Sequence, residues 1–148
     1  MQQPANHIID ELLEKPCWVI DFLPHKVPAD QGRQFFKIEN LLLKPPHVNR
    51  LYDKFAAILL QLNCYYDFHL CMNDDDEWMF NPEPEYLLNA VNRVLEQKQH
   101  LVVFIESTST LLTLSSDDTH MSIYNPSDEI LPMLHQLASA QGLFLWKP

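Results

Sequence analysis

The stretch LLTLSSDDTHMSIYNPSDEILPMLHQLASAQGLFLW, residues 111–146, decides the fold, because it contains two strands, a turn, a helix and a returning strand. With Asp117-Asp118 as the turn, Leu114 opposes Met121 and Leu112 opposes Ile123 on one face. Ser115 then opposes His120, and Thr113 opposes Ser122, on the other, so alternation on both sides fixes one register. Asn125-Pro126 next opens a helix whose stripe is Ile130, Leu131, Leu134, Leu137 and Ala138, closed by Gly142. Pro132 inside it is expected to kink the first turns.

Working outward, FNPEPEYLL (80–88) echoes YNPSDEIL (124–131), with a shift of one position. Here Asn81 is expected to cap a helix and Pro82 to occupy its first position, where a missing N–H costs nothing. The buried stripe is Leu87, Leu88, Val91, Val94 and Leu95. Two further helices are expected at 6–15 and, after Pro45-Pro46, across Val48, Leu51, Tyr52, Phe55, Leu59 and Leu62. A strand follows each helix: 17–23, 64–72, 101–106 and 143–146. Second strands are expected at 35–43, 77–80 and 120–124, each before a proline-marked helix start. The class is therefore α+β: repeated helix–strand–strand units, forming one domain over residues 1–148, with a mixed, largely antiparallel sheet and helices packed on one face.

The other sheet face is expected to be open and to carry Asp21, Lys37, Glu39, Thr113, Ser115 and the site candidates. Those are Phe35, Tyr65, Asp67, His69, Cys71, His120, Ser122 and Tyr124. Asp67, His69 and Cys71 fall on one face of one strand by period-two geometry, and their types suit zinc or a similar ion, with His120 as a fourth ligand. Adjacent side chains on one strand diverge, however, and seldom chelate one ion by themselves, and polar residues on a solvent-facing strand need no special explanation. Nucleophilic catalysis would pair Cys71 with His69 or His120, or Ser115 with His120, but no oxyanion loop accompanies them. The run Asp74, Asp75, Asp76, Glu77 reads as a solvated hairpin turn, since it lacks the spacing and glycine of a calcium loop. His47 and the remaining histidines read as surface residues. The 24–34 loop is the longest irregular stretch, and Trp18, Trp78 and Trp146 read as core or sheet-face aromatics.

Composition removes several classes. Twenty acidic against ten basic residues give a net charge of −10, with no Lys/Arg cluster expected to offset the balance locally, which disfavours nucleic-acid binding. Two glycines, Gly32 and Gly142, cannot build a P-loop, a dinucleotide turn or a nucleophile elbow. No HExxH or CxxC motif occurs. Apolar runs are too short and interrupted for a membrane span or signal peptide. Cys17, Cys64 and Cys71 read as free thiols of a cytoplasmic protein. The expected function is a non-enzymatic protein-interaction or regulatory module that uses its open sheet face, with no cofactor, and with itself, as a homodimer, or another protein as partner. The alternative is a small metal-binding protein or hydrolase centred on Asp67, His69, Cys71 and His120.

Overall fold

Residues 3–73 and 77–148 are described by a computed structural model of the chain. Their elements run α1 (Asn6–Leu13), β1 (Cys17–Asp21), α2 (Gly32–Leu42), α3 (His47–Asn63), β2 (His69–Met72) and β3 (Met79–Phe80). Then come α4 (Pro84–Glu96), β4 (His100–Ile105), β5 (Thr110–Ser115), β6 (His120–Tyr124), α5 (Ile130–Ala140) and β7 (Phe144–Trp146). The strands form one sheet in the order β3-β2-β4-β5-β6-β1-β7. Every pairing is antiparallel, so the fold is α+β with an antiparallel rather than mixed sheet. The β5–β6 register places Leu112 against Ile123 and Thr113 against Ser122, as the alternation requires. No helix among the described residues is long and apolar enough to cross a membrane.

Period-two alternation sorts the strand residues between two faces. Ile20, Leu70, Met72, Leu101, Val103, Leu112, Leu114, Met121 and Ile123 face the main core, where they meet the stripes of α3, α4 and α5. The opposite face carries a smaller cluster of Leu12, Phe104 and Leu111, with Ile9, Trp78, Val102 and Tyr124 packed against it. That cluster brings α1 onto β5 and closes part of the face expected to be open. Helices therefore cover most of one face and part of the other.

Residues 35–43 are helical, in α2, rather than strand. The residues that turn inward, Gly32, Phe35, Glu39 and Leu42, recur every three or four positions, the period of a helix and not of a strand. The first expected unit thus reads helix–strand–helix. Residues 64–68 precede β2 and are not part of it; Tyr65 is exposed in the turn that ends α3. Asp74, Asp75 and Asp76 lie outside the described residues.

The two Asn-Pro pairs do not cap helices. Asn81 and Asn125 both take left-handed backbone angles, φ 42° and 56°. The Asn81 side chain accepts a hydrogen bond from the Phe68 N–H (2.9 Å) and donates to Asp67 Oδ1 (2.8 Å), which ties the two ends of the β2–β3 hairpin. Asn125 donates from Nδ2 to the Ser109 carbonyl (3.0 Å). The helices begin later, α4 with Pro84 at its first position and α5 at Ile130. Pro132 consequently falls in the first turn, where its missing N–H has no intrahelical partner to lose. Among the stripe residues, Leu87, Val91 and Val94 are buried, whereas Leu88 is 41% exposed. Gly142 ends α5 with φ 72°, the conformation glycine adopts without strain.

Candidate binding site

The sheet register decides which polar residues meet. One row across the second face reads Phe80, His69, Phe104, Leu111, Tyr124 and Cys17. His69 is buried between its two row neighbours, with ring centroids 5.1 Å from Phe80 and 6.1 Å from Phe104. Its Nε2 lies 3.5 Å from the carboxylate of exposed Glu106. Cys71 sits one row on and is also buried, while Asp67 is exposed and accepts its hydrogen bond from Asn81. His120 belongs to β6, separated from β2 by β4 and β5. Three strand spacings amount to about 14 Å, too far to share one ion or one proton. The structure does not bring Asp67, His69, Cys71 and His120 together, and among the described residues no three His, Cys, Asp or Glu side chains gather at a metal-binding distance. Among the described residues no side-chain hydrogen bond joins Ser115 to His120.

The other expected site residues are dispersed as well. Tyr65 projects from a turn, Tyr124 packs into the cluster under α1, and Phe35 belongs to α2. Ser122 keeps its place on the second face, opposite Val19 of β1. The aromatic open face expected from alternation is therefore not assembled.

What the fold builds instead lies at the β1–β7 end of the same face. There the 24–34 loop and the start of α2 stand off the sheet and enclose a cleft of about 350 Å³, within the range of small-ligand sites. Val27, Pro28, Phe35, Phe36 and Trp146 give it apolar walls, and Asp21 supplies a carboxylate. Trp146 is held by its Nε1–H, which donates to the Leu23 carbonyl at 3.0 Å. Phe35 stacks on Phe22, with planes 5° apart and centroids 6.4 Å apart. A Cβ on Gly32 would lie 3.2 Å from the Phe36 ring, so glycine lets that ring fold back over the helix start.

Burial raises the Asp21 pKa above its ordinary value, although the Phe22 N–H donates to Oδ1 at 2.7 Å and His120 stands nearby. Because the folded-state pKa is raised, the ionised carboxylate is less favourable in the folded chain than in the unfolded one. The cost is absent well below pH 3.8 and is complete once pH passes the folded value. The Asp21→Asn variant, whose amide oxygen still accepts from Phe22, is expected to match or exceed the parent in stability at about pH 7. Urea melts should show that advantage closing below about pH 4. A variant clearly less stable at neutral pH would mean that Asp21 has an ionic role.

Charge distribution adds a feature that was legible in the sequence and missed there. Six of the ten Lys and Arg residues (Lys26, Arg33, Lys37, Lys44, Arg50 and Lys54) fall within residues 24–54, against three of the twenty acidic residues. They are spaced too widely to form a run, but they make this segment net basic within an acidic chain. The signal was a windowed charge count rather than adjacency. Compared with known proteins, the chain matches no family model, no curated protein and no solved structure.

Proposed function

We propose that the protein is a non-enzymatic interaction module that associates through the α2 side of the molecule, with a second copy of the chain as its partner. One observation carries this reading. α2 is eleven residues long and buries none of them fully, while Phe36 is 60% exposed, Leu41 51% and Ile38 41%. Phe144 on the adjoining edge strand β7 is 43% exposed. Ile38 and Leu41, three residues apart, share one face of α2 and Phe36 projects from another; exposed apolar side chains on a helix that buries none of its residues are a mark of an interface. Charge supports a second copy: the 24–54 segment is locally basic, whereas the remainder of the chain is strongly acidic, so one copy offers what the other complements.

Sedimentation velocity tests the reading. The unmodified protein is expected to associate at tens of micromolar, and the double variant Phe36→Asp, Leu41→Asp is expected to be a folded monomer, since both side chains are already exposed. A monomeric parent protein removes self-association. A dimer untouched by the double variant moves the contact to another surface.

A further inference from the structure

A second cleft, of about 320 Å³, lies on the other side of α2, between it, the start of α3 and the turn after α5. Its floor is apolar, formed by Phe22, Leu51 and Leu143, of which Leu51 and Leu143 are buried. Its rim carries three basic side chains: the guanidinium of Arg50, the ammonium of Lys54 and the imidazole of His47. They share one face of α3 because their spacings of three, four and seven residues match the helical repeat. Among the described residues lining this cleft none is acidic, in a protein with twenty acidic residues and a net charge of −10. Nor does any of the three make an ion pair with a described carboxylate; among the described residues the one such contact is His69–Glu106. A guanidinium and an ammonium beside an apolar floor, with no carboxylate lining the cleft, match a ligand that is a carboxylate at one end and apolar at the other.

We infer that the cleft between α2 and α3 binds the carboxylate of a small amphiphile, with Arg50 and Lys54 on the carboxylate, His47 at the rim and the apolar body on Phe22, Leu51 and Leu143. The inference is independent of the proposed self-association, because Phe36 and Leu41 do not line this cleft. Two sources share the chemistry: a free alkyl carboxylate, and the C-terminal carboxylate of a peptide ending in an apolar residue.

Titration of isotopically labelled protein, followed by amide NMR at low ionic strength and neutral pH, separates them. The probes are octanoate for the first source, N-acetyl-leucine for the second, and acetate and inorganic phosphate as heads without a body. Octanoate or N-acetyl-leucine is expected to give saturable shifts at Arg50, Lys54, Gly142 and Leu143, at least about tenfold tighter than acetate, because the alkyl body leaves water. The tighter of the two identifies the source. The Arg50→Glu, Lys54→Glu variant should lose this binding. Arg50 is exposed, so the single Arg50→Glu variant serves if the double variant fails to fold, and it should weaken binding at least about tenfold while amides outside the cleft keep their positions. The inference is overturned by phosphate or acetate binding as tightly as the amphiphiles, by affinity unchanged in Arg50→Glu, or by shifts centred on the Trp146 cleft.

Discussion

Replacing Leu59 with alanine is expected to lower the unfolding free energy by about 2–5 kcal/mol, and the same change at Leu88 by no more than about 0.5 kcal/mol. Leu59 is fully buried on α3, among residues of the main core that spans the three helices and the first sheet face. Truncation there removes the transfer free energy of the lost carbons and leaves a cavity that packed neighbours cannot close. Leu88 lies one residue beyond the buried stripe of α4 and is 41% exposed, so water takes the vacated space. Denaturant melts of both variants, with slopes unchanged, measure the contrast. Equal costs would mean that α4 is rotated about its axis from the orientation described.

Tyr52→Phe is the second large effect, about 1–3 kcal/mol. Tyr52 is buried on α3, and its hydroxyl reaches the β5–β6 turn, where the carbonyls of Ser115 and Asp118 both accept from it, the latter at 2.7 Å. One phenolic proton is shared between two carbonyls, so the bond fixes the turn to the helix from two points. Burial, and then the carboxylates of Asp118 and Asp117, raise the phenol pKa, so the hydroxyl remains a donor at all ordinary pH. Phenylalanine fills the same space and leaves the Asp118 carbonyl without its partner. The measurable consequence beyond stability is local: amide hydrogen exchange should quicken through residues 115–120 while β2–β4 keep their protection. Uniform acceleration would show the turn to be an inseparable part of the global unit.

These two results test different links in the chain of inference. The position of Leu59 on a buried stripe follows from spacing alone, since six apolar residues of α3 recur at helical intervals and no other arrangement buries them together. Leu88 shows where spacing stops: five apolar residues in α4 define a stripe wider than the face that meets the sheet, and only packing chooses which edge is left in water. The contact of Tyr52 with a turn more than sixty residues away could not be read from any window of sequence.

The candidate site divides in the same way. Period-two alternation placed His69 and Cys71 on one strand face, and that face is the second one, as expected. What alternation cannot give is the lateral order of strands, and that order puts β4 and β5 between His69 and His120. Residues 35–43 suit a strand or a helix by local pattern. They form α2, which turns Phe35, Glu39 and Leu42 inward at helical spacing, while β1 pairs with β6 and β7 from far along the chain. From that single change follow the exposed Phe36, Ile38 and Leu41, the cleft over Asp21 and the outer wall of the basic cleft.

The sequence by itself therefore determined the α+β class, the alternation and register of the β5–β6 hairpin, the core stripe of α3, and the absence of glycine-built phosphate or nucleophile turns. Each of these depends on residues within one or two turns or strands of one another, where side-chain direction is set by backbone geometry. Tertiary structure alone decided that α1 closes part of the second face, that α2 is a helix, and that His47, Arg50 and Lys54 border an apolar cleft. Those outcomes depend on which sheet edges and helix faces remain after long-range pairing has used the others, and burying apolar surface and satisfying backbone groups across the whole chain settles that competition.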